Sequence, residues 1–191
     1  MTGWQIALIV VATIGVIILF KAIWFVKTHN KLKRAIIKIE ESEASIHIAL
    51  TKRFDTLTKM LDVTKGYISH EEKVLSEIVK LRQPTKHASP KKVSEFASQL
   101  SDGYERINLL AEAYPQLKAD GPFMKLQAAA FEVEENLQAA RRFYNSNVSY
   151  FNQQIAIWPN SIVAKKAKYE PYEFIEIDEV KKADIKLDFS K

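Results

Sequence analysis

Residues able to attack, exchange protons or hold a metal are few in this chain and poorly spaced for it. There is no cysteine, so thiolate nucleophiles, thiolate metal sites and disulfides are excluded. The four histidines, His29, His47, His70 and His87, are scattered, and no nucleophile-elbow motif presents a serine to a histidine and an acid. A di-metal carboxylate bundle needs paired Glu-x-x-His motifs, and the chain has none. Glu43 and His47, four residues apart, share one face of a helix and could hold a weak metal site or simply a surface hydrogen bond. No glycine-rich phosphate loop occurs. The expectation is a non-catalytic protein with no cofactor and no resident metal.

Binding chemistry is better represented. Arg141, Arg142, Tyr144, Asn145 and Asn152 lie within about three turns of a helix, where two guanidinium groups and two amides could read a carboxylate or an acidic partner strand. The alternative is that Tyr144 packs inward while Arg141 and Arg142 pair with Glu132, Glu134, Glu135 or Asp102. Arg53 and Glu71 fall on the apolar seam of an earlier helix, where they are expected to make polar contacts that set its register.

The elements that must position these residues begin with a membrane span. Trp4 to Val26 is interrupted only by Lys21, and at about 1.5 Å per residue it can cross a hydrocarbon core of roughly 30 Å. Fourteen of its residues are Ile, Leu, Val or Phe. At roughly −0.3 to −0.6 kcal/mol each they outweigh one lysine near the end, whose stem can snorkel. Trp4 at one edge and Trp24 with Phe25 at the other match interfacial aromatic belts. A cleaved signal peptide would want positive charge before the apolar region and small residues after it, and neither is present.

Charge then orients the span. The chain has 28 basic and 23 acidic residues, yet Lys21, Lys27, Lys31, Lys33, Arg34 and Lys38 stand together with no acid among them. Without those six the balance is 22 to 23, so the excess is a local collar. That argues against nucleic-acid binding and places the cations on anionic headgroups of the cytoplasmic leaflet, at on the order of 1 kcal/mol each. The amino terminus is expected outside, and residues 27 to 191 inside the cell.

Beyond the anchor the periodicity is helical. Alternate steps of three and four from Ile36 reach Ile39, Glu43, Ile46, Leu50, Arg53, Leu57, Met60, Thr64, Tyr67, Glu71, Val74, Ile78 and Leu81, and ten of these fourteen positions are apolar. This predicts one long helix with a coiled-coil-like seam, open to continuity with the span at its start and to a bend near Gly66. Pro84 and Pro90 separate it from a second helix, with Ser89 as cap, whose stripe runs from Val93 to Tyr114. A third begins near Asp120, Gly121 and Pro122, and its stripe from Phe123 to Trp158 has no polar member.

Amphipathic helices on short connections bury their stripes against one another. The fold class expected is therefore all-α: a transmembrane helix followed by an antiparallel helical bundle of three to four long helices. Three regions follow, an anchor over 1–26, a bundle over 27–160 and a tail over 161–191 that is partly extended or disordered. In the tail, Ile185, Leu187 and Phe189 alternate with charged residues.

Two blocks of residues resemble the LemA family of bacterial membrane proteins. The first is Ser45 to Glu71, SIHIALTKRFDTLTKMLDVTKGYISHE. The second comprises Tyr114-Pro-Gln-Leu-Lys-Ala119, Glu134-Glu-Asn136, Ala140-Arg-Arg-Phe-Tyr-Asn145, Tyr150-Phe-Asn152 and Trp158-Pro-Asn-Ser161, and the ending Leu187-Asp-Phe-Ser190 is also similar. The chain departs from the family pattern at Leu57-Thr-Lys-Met60, where Ile-Pro-Asn-Leu is usual, and at Trp158, where Phe is common. The resemblance implies one amino-terminal anchor, an α-helical bundle and no established reaction. The functional expectation is a scaffold or adaptor for membrane proteins or for copies of itself; the alternative is a regulatory subunit or substrate of a membrane protease or envelope-stress system.

Overall fold

In the computed structural model, residues 3–67, 84 and 88–175 are described, and the expectations for Glu71, His70, the seam beyond Tyr67 and Ile185 to Phe189 lie outside them. The chain is all-α, with no strand among the described residues. The helices are α1 (Gly3–Lys65), α2 (Pro90–Ala113), α3 (Pro115–Lys118), α4 (Gly121–Ala156) and α5 (Asn160–Lys166). The apolar leading segment and the seam helix thus form one continuous α1. It ends where the poor helix former Gly66 was expected to disturb it, in a turn closed by Gly66 N–H to Val63 O at 3.2 Å and Tyr67 N–H to Thr64 O at 3.0 Å.

Proline sets several starts. Pro90 and Pro115 stand in the first turns of α2 and α3, where the missing N–H has no helical partner to lose. Ser89 precedes α2 without a side-chain cap, contrary to expectation; its carbonyl accepts from Val93 N–H at 3.2 Å. Asp120 does cap α4, its Oδ1 accepting from Phe123 N–H at 2.8 Å. The short α3 and α5 were not legible as helices, because each is only one or two turns long and carries no full period.

The chain divides into two units, residues 1–40 with 146–172 and residues 41–145 with 173–191. In the first, Leu32, Ala35 and Ile39 of α1, Val148 and Phe151 of α4 and Val163 and Ala164 of α5 are buried. Asn147 Nδ2 donates to Lys38 O at 3.1 Å and Lys31 Nζ to Gln154 Oε1 at 3.0 Å. Seven residues forward on α4 therefore match seven back on α1, so these two stretches run in opposite directions. In the second unit, α1 buries Ile46, Leu50, Leu57, Met60 and Leu61, α2 buries Val93, Phe96, Leu100 and Ile107, and α4 buries Phe123, Leu137 and Tyr144. The α1 seam is thus covered within one chain. Two of its polar members are also buried: Arg53, and Thr64, whose hydroxyl donates to Met60 O at 2.7 Å.

The stripe of α4 is buried or half-buried from Phe123 to Ile155. Its last expected member, Trp158, is the exception: it lies past the helix end and is 80% exposed.

Candidate functional site

Arg53 joins three helices of the second unit through polar contacts. Position 53 falls on the inward face of α1, so its guanidinium is directed at α2 and α4 and is 5% exposed. Nη1 donates to Ala97 O at 3.1 Å and Nη2 to Ser101 Oγ at 2.9 Å. Glu134 Oε2 lies 2.7 Å from Nη2, and the guanidinium carbon is 5.5 Å from the Tyr104 ring centroid. Tyr104 in turn donates its hydroxyl hydrogen to Arg53 O at 2.7 Å. Burial pushes the Tyr104 phenol up to about 12, with the Arg53 charge pulling the other way. This polar knot ties α1, α2 and α4 together.

Arg53 makes its internal polar contact with Glu134 of α4, while Glu71 lies outside the described residues. Tyr67, at the end of α1, is exposed and donates to Asp120 Oδ2 at 2.7 Å, so Asp120 both caps α4 and receives this phenol. That hydrogen bond, ahead of burial and the carboxylate charge, holds the Tyr67 phenol above its ordinary range. His47 Nε2 and Glu43 Oε1 are 3.9 Å apart, and no cluster of three possible metal ligands occurs among the described residues.

The structure does not bring Arg141 and Arg142 together. Successive helical residues diverge by about 100°, and Arg141 is 1% exposed, the first of the largest fully buried side chains, while Arg142 is exposed. Tyr144 packs inward at 4% exposure.

The asparagines have a role that their sequence context hid. In the second unit, Asn145 Nδ2 donates to Ile175 O at 2.9 Å and its Oδ1 accepts from Ile175 N–H at 3.0 Å, while Tyr144 hydroxyl donates to Glu173 O at 3.2 Å. In the first unit, Asn152 grips Tyr172 the same way, Nδ2 to Tyr172 O and Tyr172 N–H to Oδ1, both at 2.9 Å. A side-chain amide presents the same donor and acceptor as a peptide unit, so each asparagine pairs with one non-helical residue as a neighbouring strand would. Both amides thus engage the chain's own main chain.

The basic collar lies along α1. Lys21, Lys27, Lys31, Lys33, Arg34 and Lys38 are all exposed. Lys31 also lies 5.8 Å from the Tyr150 ring centroid. Before the collar, α1 contains a stretch long and apolar enough to cross a membrane, none of it buried inside the structure.

Comparison with known proteins places these features in a family. The LemA family model matches residues 42–189. Protein LemA of Metamycoplasma hominis is 27% identical over 163 residues, covering 84% of this chain and 74% of that protein.

Proposed function

We propose that this chain, which belongs to the LemA family, is a single-pass membrane protein that acts by binding, as a scaffold or adaptor for membrane-associated partners, with no chemistry of its own. The observation that supports this reading is the leading part of α1. From Leu8 to Ile23 its large apolar residues are about half or more exposed, Phe20 at 73%, and the apolar window is not buried among the described residues. An uncovered apolar surface of that length needs a hydrocarbon solvent. The cations that follow hold residues 27–191 on the cytoplasmic side of the cell membrane. The Arg53 knot and the asparagine pairs tie interior polar groups into the structure, and this supports outer surfaces as the means of action. Partners are bilayer lipid and membrane proteins or further copies of the chain, and nucleic acid is not among them. Because Ile46, Leu50 and Leu57 are already buried within one chain, copies would meet through other faces.

Two measurements on sealed cells test the proposal. Externally added protease should leave residues 27–191 intact, and a label added outside should reach the amino terminus; digestion of the helical body from outside would overturn the topology. In-membrane crosslinking followed by mass spectrometry should return defined partners, and a strictly monomeric, partner-free protein would overturn the scaffold role.

A further inference from the structure

We infer that the turn after α4, together with α5, forms a second membrane contact: Ile157, Trp158 and Ile162 seat in the interface of an anionic bilayer while Lys165, Lys166 and Lys168 engage its phosphates. The inference rests on α1 spanning that bilayer and adds a site the span does not supply.

Position comes first. Asn147 pairs with Lys38 O and Gln154 with Lys31, so two further residues bring α4 to its end at Ala156, nearing the level of Lys27, the first cation after the apolar stretch, and Trp158 stands in the turn that follows. Contacts of the same unit hold α5 at that level. Lys166 Nζ lies 5.1 Å from the Phe25 ring centroid, and Tyr169 stacks on His29 at 6.0 Å between centroids. Phe25 belongs to the aromatic edge of the span, so whatever depth Phe25 occupies, Lys166 reaches the same border.

Composition comes second. Trp158 is 80% exposed, Ile157 49% and Ile162 52%, although the inner side of α5 is closed by buried Val163 and Ala164. The turn therefore has its own core and still presents three large apolar side chains outward. Tryptophan partitions to the interface because its ring is apolar and its N–H seeks water and headgroups. Around it the charge has one sign: the unit carries the six cations of α1 and the three lysines after Ile162, against only Glu40 and Glu170. An apolar tip with a cationic rim suits an anionic lipid surface and would repel a basic protein partner.

The test uses the full chain reconstituted in vesicles containing phosphatidylglycerol with bromine-labelled acyl chains. The chain has three tryptophans, so replacing two of them with Phe at a time leaves either Trp24 or Trp158 as sole reporter. Trp24 should be quenched if the span holds. Trp158 should also be quenched, with blue-shifted emission. Joint Lys165→Gln, Lys166→Gln and Lys168→Gln changes, or purely zwitterionic vesicles, should shift the seated population by roughly fivefold per lysine. Quenched Trp24 with water-like, unquenched Trp158 overturns this inference alone, whereas an unquenched Trp24 overturns the span on which it rests. Equal quenching of Trp158 in zwitterionic and anionic vesicles overturns the part given to the three lysines.

Discussion

Glu134 Oε2 and Arg53 Nη2 meet at 2.7 Å, yet the two side chains differ in exposure, 26% against 7%. Losing either partner is therefore not symmetric. Without Arg53, Glu134 can rehydrate; without Glu134, the guanidinium keeps its bonds to Ala97 and Ser101 but holds its charge in a dry site. Arg53→Met, close in volume, is expected to cost less than Glu134→Ala, and a double-mutant cycle should give a coupling of about 1–3 kcal/mol. Chemical unfolding of the full chain in detergent micelles measures it. Equal costs with no coupling would show that the pair contributes nothing.

Tyr104 makes stability depend on alkaline pH. An unfolded tyrosine ionises near 10, whereas burial holds this phenol protonated up to about 12. Its contribution is complete below pH 10 and is lost as the pH rises through about 12. Tyr104→Phe should flatten the fall in stability across that window, at a cost of about 0.5–1.5 kcal/mol at neutral pH for the lost bond to Arg53 O. Unfolding midpoints across the window compare the two proteins, and parallel curves would remove the assignment.

Asp120 serves two donors, and two variants separate them. Asp120→Ala should cost about 0.5–2 kcal/mol through the lost α4 cap. Asp120→Asn retains an oxygen able to cap but removes the carboxylate charge, so the Tyr67 phenol should titrate closer to its ordinary value while stability changes less. Absorbance titration of tyrosinate in each variant decides this; an unmoved Tyr67 under both changes would contradict it.

Asn152 and Asn145 should protect single amides. Asn152→Ala is expected to speed hydrogen exchange at Tyr172 N–H by roughly tenfold or more, and Asn145→Ala to do the same at Ile175 N–H. Asp in place of Asn keeps the acceptor but loses the donor and should give an intermediate effect. Unchanged exchange at both amides would mean that other contacts hold the segment.

Much of the helical frame was legible because burial obeys a period. Ile39, Ile46, Leu50, Leu57 and Met60 recur at steps of three, four and seven, and each is buried. Prolines marked the starts of α2 and α4 because a residue without an N–H is tolerated only in a first turn. Polar pairing has no such period. Glu134 is remote from Arg53 along the chain, and nothing local distinguishes it from Glu132 or Glu135. The asparagines were legible as binding groups but not as binders of their own chain, since a main-chain partner leaves no residue type to recognise. Trp158 completed an apolar stripe on paper, but the helix stops at Ala156 and the stripe's geometry stops with it.

The asparagine pairs carry an evolutionary corollary. Each amide addresses only the N–H and C=O of its partner, so positions 172 and 175 make no demand on side-chain identity through these bonds. Nineteen residue types supply both groups, and only proline, with no hydrogen to give, is barred. Buried Ile175 retains a requirement for apolar bulk, and Tyr172 one for its ring, which meets Phe151 edge-on at 5.4 Å between centroids. An alignment of relatives would then show proline excluded from both positions, each varying only within the limits of its own packing, opposite an invariant asparagine in the helix.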